Sequence, residues 1–377
     1  MDLVADFARI ILPFLVTLTV LVFIHEMGHY LIARANRIRV EVFSIGFGPE
    51  IYGWDDRFGT RWKISWIPLG GYVKFFGDAN AASRRDSGLN TMTAQERDVS
   101  FHHKPLRQRA AVVAAGPIAN FLLAIVLFAG IFSIFGQPFT PAVVSAVVPD
   151  SPAEAAGLQA GDRIVRIGGS NIDRFEDIQR IVQIRPNAEL DLEILRDGAE
   201  VRLSVTPRMI EVTDTFGNTH RIGQLGIRSG AVDYVRHDPL TATWYGVKAT
   251  LSVIDVTFVT LGQMFAGDRG TRDLAGPLGI AQMSSQVAQI GFVASLHFAA
   301  FLSVSLGLIN LFPIPMLDGG HLLFFSIEAL RGKPLSERVQ DLGLRFGLLL
   351  VVGLLVLGTV NDLGRFNFFG FVSGLFS

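Results

Sequence analysis

The chain has 377 residues, with 33 Lys and Arg against 34 Asp and Glu, so its net charge at pH 7 is −1. Half of the residues are hydrophobic and only 18% are charged, whereas a typical soluble domain carries about 25% charged residues. The balance of charge excludes a strongly basic nucleic-acid binder, and the lack of Cys excludes a disulfide framework and a Cys-ligated metal. This composition is typical of a membrane protein.

Four apolar segments are long enough to cross a bilayer, which takes about 20 helical residues. The predicted spans are 10–33, 110–135, 291–309 (continuing at 321–330 after a Pro- and Gly-rich interruption) and 342–360. A fifth apolar stretch, 245–266, contains Lys248 and Asp255. We expect it to form an amphipathic helix on or beside the membrane.

Lys and Arg residues flank the predicted spans on the side of residues 34–109 and 331–341. Short cytoplasmic loops are rich in these residues, so the sequence predicts that 34–109 is cytoplasmic and that 136–290 lies outside. Both termini then lie outside as well. In a Gram-negative bacterium, this topology describes a multi-pass protein of the inner membrane whose extramembrane domain and termini are periplasmic.

Residues 141–232 have a different character, with alternating strands and charged turns. Ser151-Pro-Ala-Glu-Ala-Ala-Gly and Gly161-Asp162-Arg-Ile resemble the signature of bacterial PDZ domains. The expected elements are a short helix, a strand at 164–167, a helix at 174–184, and a strand pair at 190–195 and 201–206 around an Asp-Gly turn. PDZ domains bind extended peptides by strand addition, but no carboxylate-binding loop can be identified. Peptide binding and a size filter without a ligand are therefore both open.

Two segments of the predicted cytoplasmic loop, 40–50 and 61–75, alternate apolar and polar residues and carry glycines at their bends. This period of two favours β-strands. We expect a hairpin or small sheet close to the first span, with either a functional role or a role in stabilising the loop.

His25-Glu26-Met27-Gly28-His29 forms an H-E-x-x-H motif at the end of the first span. Residues four apart share a helix face, so His25 and His29 can bind one zinc ion while Glu26 acts as the base for a bound water. Ordinary helical histidines are the alternative. However, an ionisable group at the centre of a span costs about 2.5–3.5 kcal/mol, and less near an end, which favours a functional site.

Catalytic zinc takes three protein ligands, and the interruption of the third span offers the missing one. It reads Asn310-Leu-Phe-Pro-Ile-Pro-Met-Leu-Asp318-Gly-Gly. Unwound backbone at membrane depth must line protein or a wet cavity. Asp318 is the only acidic residue between Asp273 and Glu328 and is therefore the candidate ligand, while Asn310 could donate to a substrate carbonyl or oxyanion.

The H-E-x-x-H motif and the late N-x-x-P-x-P-x-L-D-G motif together resemble the paired signatures of the site-2 protease family of intramembrane zinc proteases. Four flanking pieces are similar to its RseP-type branch, the regulator of sigma-E protease: Gly46-Phe-Gly-Pro49, 67–75, Ala115-Gly-Pro-Ile-Ala-Asn120 and 275–280. One PDZ domain is recognisable here instead of two, a difference that concerns substrate gating and not catalysis.

The resemblance implies a multi-span α-helical membrane protein with four transmembrane helices, a cytoplasmic membrane-associated β-hairpin or sheet, and one periplasmic α+β PDZ domain. It implies Zn2+ as the cofactor, with His25, His29 and Asp318 as ligands. Glu26 would be the catalytic acid and base and Asn310 a substrate contact, and the hairpin at 40–75 would clamp the substrate.

The implied activity is endopeptidase cleavage of single-span membrane proteins within or near the transmembrane segment. The second cleavage of an anti-sigma factor in an envelope stress response is the expected role, and clearance of signal-peptide remnants would use the same chemistry. The expected partners are such a protein substrate, the lipid bilayer and a peptide ligand of the PDZ domain. A catalytically silent PDZ-bearing scaffold is the alternative from another class, and the complete ligand set argues against it.

The sequence divides into four predicted regions: a first membrane core at 1–140, the PDZ domain at 141–232, an amphipathic helix region at 233–290 and a second membrane core at 291–377. Asn120 and His321 are candidates for contacts near the site. The remaining histidines are expected to be surface residues or, in one case, a packing residue: His102, His103, His220 and His237 at the surface, and His297 in the third span.

Overall fold

A computed structural model describes residues 2–78, 92–213, 219–267 and 275–365. The described chain forms two compact units. One, which we call the helical unit, is drawn from Met1–Ile131 and Leu240–Ser377. The other, which we call the α+β unit, is Phe132–Pro239.

The helical unit contains eight of the described helices and two long strands. They are α1 (Asp2–Ala35), β1 (Val40–Asp55), β2 (Arg61–Phe75), α2 (Ala94–Val99), α3 (Leu106–Ile134), α6 (Pro239–Ala266), α7 (Pro277–Ile290), α8 (Phe292–Leu311), α9 (Asp318–Arg331) and α10 (Glu337–Arg365). The numbers α4 and α5 belong to the α+β unit.

Four helices of the described chain are long and apolar enough to cross a membrane. They contain residues 9–35, 106–134, 292–311 and 338–364. These segments coincide with the four predicted spans, so the expectation of four apolar helices is confirmed. Helix α6 covers the predicted amphipathic stretch 245–266 and is not one of the four.

Small residues let α1, α3 and α8 approach one another closely. A β-carbon on Gly28 of α1 would lie 2.3 Å from the carbonyl oxygen of Ala115 in α3. Likewise, a β-carbon on Gly307 of α8 would lie 3.1 Å from the carbonyl oxygen of Pro117. Close backbone contact through small residues is typical of helices packed in lipid, and here it places α3 against the helix that carries the H-E-x-x-H motif.

Strands β1 and β2 pair antiparallel and form the predicted sheet. Residues 42–45 of β1 have partners at two places on β2, 61–64 and 71–74, so the long strands fold back into a compact sheet. Asp56 ties this sheet to α1, because its Oδ2 accepts hydrogen bonds from the hydroxyl of Tyr30 at 2.9 Å and the indole of Trp62 at 3.1 Å. Because Tyr30 directly follows His29, these hydrogen bonds attach the sheet to α1 next to the H-E-x-x-H motif.

A buried carboxylate in α10 holds the start of α7. Asp362 is fully buried, and its two oxygens accept the backbone N–H groups of Gly276 at 3.0 Å and Gly279 at 2.8 Å. A β-carbon on Gly276 would lie 2.5 Å from the backbone of Gly358. This contact gives a physical reason for the glycines of the 275–280 segment.

The α+β unit contains the helices α4 and α5 and ten short strands. They are β3 (Gln137–Phe139), β4 (Val144–Val147), α4 (Pro152–Ala155), β5 (Arg163–Ile167), β6 (Ser170–Asn171), α5 (Phe175–Gln183), β7 (Leu190–Arg196), β8 (Ala199–Val205), β9 (Arg208–Thr213), β10 (Thr219–Gln224), β11 (Ile227–Ser229) and β12 (Asp233–Val235).

Its largest sheet has the strand order β6-β5-β7-β8, and three further strand pairs surround it. Asp197 and Gly198 join β7 to β8 with positive φ angles of 49° and 84°, the backbone that a two-residue hairpin turn needs. Apolar side chains from the sheet and from α5, including Ile164, Leu192 and Ile178, form one buried core. The elements expected from the sequence signature are all present.

Candidate metal centre

Helix α1 presents the two histidines of the motif on one face. Both imidazoles are buried, and the Nε2 atoms of His25 and His29 are 3.3 Å apart. The four-residue spacing produces this proximity, because residues four apart are neighbours on a helix surface. The predicted pairing of the two imidazoles is present.

The interrupted segment after α8 delivers Asp318 to the same point. Helix α8 ends at Leu311, and α9 begins at Asp318; Pro313 and Pro315 stand between them and lack the N–H that a helix requires. The Asp318 Oδ2 atom lies 3.2 Å from His25 Nε2 and 3.5 Å from His29 Nε2.

The backbone around this turn is tightly packed. A β-carbon on Gly319 would lie 2.2 Å from the carbonyl oxygen of Leu311, and one on Gly320 would lie 2.4 Å from that of Ile314. Met316 has a φ of 95°, a region that side chains other than glycine rarely adopt. Strained backbone of this kind clusters at functional sites, and here it lies two residues before Asp318.

The three candidate ligand atoms suit a cation better than an ordinary hydrogen-bond network. All three lie within 4.8 Å of one another. Asp318 Oδ2 is buried and has no hydrogen-bond partner. His29 Nδ1 donates to the carbonyl of Val112 at 2.8 Å, so in the neutral imidazole the lone pair of Nε2 faces Asp318.

Zinc suits this arrangement by size as well. Zinc bonds of about 2.0–2.1 Å to nitrogen in a tetrahedral site place the ligand atoms about 3.3 Å apart. The observed separations are 3.2, 3.3 and 3.5 Å. The donor set of two imidazoles and one carboxylate therefore fits zinc.

Gly116 of α3 forms the wall behind the two imidazoles. A β-carbon at this position would lie 2.3 Å from His29 Nε2 and 2.9 Å from His25 Cε1. Only glycine leaves the room that the histidines occupy. The sequence analysis did not assign a role to this residue, although a Gly-Pro pair inside an apolar helix is a signal for close backbone approach.

A cavity of about 350 Å³ opens beside the candidate ligands. Glu26, Asn310, Met316 and His321 all line it, together with residues 70–73 of β2. The strand comes close to the predicted base, since a β-carbon on Gly71 would lie 3.3 Å from Glu26 Cγ. One cavity thus brings together the predicted base, the predicted substrate contact and a strand.

The segment of β2 beside this cavity has a strand neighbour on one side in the described chain. Gly71, Tyr72 and Val73 pair with Ile45, Ser44 and Phe43 of β1, the only pairing that the described chain gives them. All three residues also line the cavity, and the backbone of Val73 hydrogen-bonds the Glu26 carboxylate. An extended peptide could therefore add to the sheet next to Glu26.

Asn120 and the remaining histidines named in the sequence lie in different environments. Asn120 is fully buried, with its Nδ2 3.1 Å from His25 Nδ1, so the expectation of a hydrogen bond near the site is confirmed. His297 packs against the ring of Phe128, with the ring centroids 6.0 Å apart. His103 and His237 contact Ser100 and Gln137, and the side chain of His220 lies outside the described residues.

The expectation that His102 is a surface residue is wrong. Its side chain is 10% exposed, and its Nε2 lies 2.8 Å from the Oδ1 of Asp78, a fully buried carboxylate. Asp78 also accepts the backbone N–H of Phe75 at 3.1 Å. The pair thus anchors the end of β2 to the segment before α3, a contact that local sequence composition does not reveal.

The α+β unit contains a glycine-bordered loop that the sequence analysis did not identify. It comprises the last two residues of β10, Gly223 and Gln224, followed by Leu225 and Gly226, and it lies against the last turn of α5, where a β-carbon on Gly223 would be 2.2 Å from the carbonyl oxygen of Val182. Gly226 has a φ of 82°. Among the described residues, the N–H groups of Leu225 and Gly226 donate to no carbonyl, and the following strand β11 pairs only with β4.

An H-E-x-x-H helix that meets an aspartate among apolar helices defines the class of membrane-embedded metallopeptidases. The model of peptidase family M50 matches residues 13–354, and the chain belongs to this family. A relative from Agrobacterium fabrum, named "Putative zinc metalloprotease", is 47% identical over 358 residues, which cover 94% of this chain and 95% of the relative. The Caulobacter vibrioides protein named metalloprotease MmpA is 38% identical and covers 98% of this chain and 99% of its own length.

Part of the chain is similar to a solved domain. The PDZ domain of an SdrC-like protein from Listeria innocua is 19% identical, with a TM-score of 0.20, and covers 25% of this chain and 98% of that domain. The family membership confirms the resemblance to site-2 proteases, and it identifies the protein as a zinc-dependent metalloprotease.

Proposed function

We propose that this metalloprotease hydrolyses a peptide bond within or near the transmembrane segment of single-span membrane proteins, using His25, His29 and Asp318 as zinc ligands. The observation that carries the proposal is the convergence of their three ligand atoms in a unit with four apolar helices. A soluble substrate would have no need for a site built among helices of this length.

Glu26 is the proposed general base and acid. Bound zinc supplies a water of lowered pKa and polarises the scissile carbonyl. Glu26 lines the same cavity as the three ligands, so its carboxylate can take a proton from the attacking water and return it to the nitrogen of the leaving amine.

Asn310 and β2 are the proposed substrate contacts. The carboxamide of Asn310 can donate to the carbonyl oxygen as negative charge develops there. A helical substrate hides its scissile carbonyl in intrahelical hydrogen bonds, so it must unwind before attack. The backbone of Gly71 and Tyr72, which pairs only with β1 in the described chain, can then hold the extended segment by backbone pairing.

The central test compares Glu26→Gln with Asp318→Ala in the purified full-length protein. We expect Glu26→Gln to keep one zinc per chain and to lose cleavage of a single-span substrate, whereas Asp318→Ala should lose both. Glu41→Gln is the matched control, because Glu41 pairs with Lys74 at 2.9 Å on the sheet and should leave both measurements unchanged. Normal cleavage by Glu26→Gln would refute the assignment of the base.

The proposed biological role is the second cleavage of an anti-sigma factor at the bacterial inner membrane, with the α+β unit and both termini in the periplasm. The basic residues beside the predicted spans support this orientation. Membrane proteomics of a strain carrying Glu26→Gln should reveal an accumulated anti-sigma fragment. Accumulated signal-peptide remnants would favour the clearing role, and no accumulated fragment of any kind would favour a silent scaffold.

We further propose that the α+β unit is a PDZ domain that binds a peptide carboxyl terminus. Support comes from the N–H groups of Leu225 and Gly226, which donate to no carbonyl of the described residues, and from β11, which pairs there only with β4, since such backbone N–H groups can receive a carboxylate. A peptide with a free carboxylate should bind the full-length protein at least about tenfold more tightly than its amide, a difference of about 1.4 kcal/mol. Equal or undetectable binding of both would favour a size filter.

A further inference from the structure

A fully buried amide stands directly behind one of the proposed zinc ligands. Asn120 lies on α3, and its carboxamide is 3.1 Å from His25 Nδ1. The other end of this carboxamide, Oδ1, is buried and has no hydrogen-bond partner. A buried polar side chain without a full set of partners calls for a functional explanation.

The chemistry of the ligand decides which end of the amide faces His25. A neutral imidazole that binds zinc donates the lone pair of one ring nitrogen to the metal and carries its proton on the other nitrogen. Since His25 Nε2 faces Asp318, the proton must lie on Nδ1, and the atom next to it must be an acceptor. In a carboxamide that acceptor is Oδ1, and O and N of an amide are assigned from such networks.

The surroundings permit this orientation. Oδ1 receives no hydrogen bond where it now points, so no donor holds the amide against a half-turn that exchanges Oδ1 and Nδ2. His29 already shows the same pattern, with its Nδ1 donating to the carbonyl of Val112 at 2.8 Å. Each imidazole would then donate from Nδ1 to a fixed oxygen of α3.

We propose that Asn120 is a positioning residue that accepts the Nδ1 proton of His25 and thereby presents the Nε2 lone pair to zinc. The proposal rests on the zinc site proposed above. Partners of this kind fix the tautomer and the ring orientation of a ligating histidine, and removing one typically costs about 10–100-fold in metal affinity.

Helix α8 keeps Asn120 in place. The hydroxyl of Ser303 donates to the backbone carbonyl of Asn120 at 2.7 Å, and both residues are fully buried. A β-carbon on Gly307 would lie 3.3 Å from the Asn120 Cβ. Asn120 thus stands where α1, α3 and α8 meet, and its side chain has little freedom to leave His25.

The test measures zinc affinity of the full-length protein in detergent by competition with a chromophoric chelator. Asn120→Leu has nearly the same size but no acceptor, and we expect its zinc affinity to fall about 10–100-fold. Asn120→Asp retains an acceptor and should stay within about threefold of the wild type or bind more tightly. A purely structural role predicts the opposite order, because a buried carboxylate is the more costly change.

Two controls separate the possible failures. Ser303→Ala disturbs the same helix contact but leaves the acceptor, so its zinc affinity should stay within about threefold of the wild type. His25→Ala tests the zinc site itself: undiminished zinc binding in this variant would refute the site, whatever Asn120 does. An unchanged affinity in Asn120→Leu, or an equal loss in the Asp and Leu variants, would overturn the role of Asn120.

The protonation state of His25 can also be measured in the wild-type protein, so that this test does not depend on a folded Asn120 variant. Nitrogen-15 NMR of the zinc-loaded protein with labelled histidine should show His25 protonated at Nδ1 and metal-bound at Nε2. The signal is identified by its absence in His25→Ala. A deprotonated or metal-bound Nδ1 would refute the proposal.

Discussion

Two buried carboxylates, one in each unit, have opposite hydrogen-bonding environments. In the α+β unit, both oxygens of Asp162 accept hydrogen bonds from Arg196, at 2.7 and 2.8 Å, and one also accepts the N–H of Gln159. In the helical unit, Asp318 Oδ2 is buried beside two imidazoles without a hydrogen-bond partner. A buried carboxylate whose oxygens accept hydrogen bonds stabilises a fold, whereas a buried carboxylate oxygen without such a bond indicates a ligand site. The comparison separates a carboxylate that holds structure from one that is available to a metal.

The largest effect is expected from Gly116→Ala, which fills the space behind the imidazoles. Its β-carbon would lie 2.3 Å from His29 Nε2, so the ring must move. Overpacking alone costs about 1–3 kcal/mol, and with a displaced ligand atom the zinc affinity should fall about 100-fold or more. Chelator competition measures this change.

Gly130→Ala in the same helix is the matched control, since a β-carbon there meets no atom within 4 Å. It should bind zinc as the wild type does. If Gly116→Ala also bound zinc normally, zinc would not need the positions that the imidazoles occupy in the structure. The geometric reason for treating the Asp318 oxygen as a metal ligand would then fail.

A smaller effect is expected from Asp362→Ala, which tests a satisfied carboxylate inside the helical unit. The N–H groups of Gly276 and Gly279 would lose their acceptor, a loss of about 2 kcal/mol for buried donors to a charged group. Hydrogen exchange of residues 277–290 should accelerate about 30-fold. Thr359→Val, one turn away and partly exposed, removes a hydroxyl that donates to the carbonyl of Leu355 in its own helix and should leave the exchange rate unchanged.

The smallest effect is a pH dependence of the α+β unit. The hydrogen bonds from Arg196 hold the pKa of Asp162 below its ordinary value of 3.8. A lowered pKa in the folded state stabilises the unit above the ordinary value, and this contribution is lost as the pH falls through the folded value. We expect a difference of about 1–2 kcal/mol between wild type and Asp162→Asn at neutral pH.

That difference should shrink as the pH drops below about 4, because the wild-type carboxylate then also becomes protonated. Hydrogen exchange in the core of the α+β unit, measured in the full-length protein, reports the stability of this unit alone. A difference that stays constant down to about pH 2 would mean that the charge of Asp162 does not stabilise the fold.

Sequence alone brought forward the three candidate ligands that the structure places together, because the chemistry restricts metal ligands to a few residue types. His25 and His29 are linked by helical spacing, and Asp318 stands out as an acid in an apolar region. The four apolar helices followed from composition, and strands β5, β7 and β8 followed from the resemblance to the PDZ signature. These signals are local to a segment, and the structure places the three side chains together as they suggested.

Features that depend on a distant neighbour were missed. Gly116 acquires its role only from imidazoles on another helix, and His102 is buried only because Asp78 meets it across a loop. The role of Gly223–Gly226 was not predicted, because it depends on contact with the adjacent end of α5. A glycine carries no side-chain signal, so its partner must be known before its role can be predicted.

The positions of the three proposed ligands also bear on when the enzyme becomes active. His25 and His29 stand near the beginning of the sequence, whereas Asp318 opens the ninth of ten described helices. A ribosome inserting this chain into a bilayer would therefore have threaded most of it before a complete set of ligands existed. The order of synthesis itself would keep the unfinished protease from hydrolysing its own membrane neighbours.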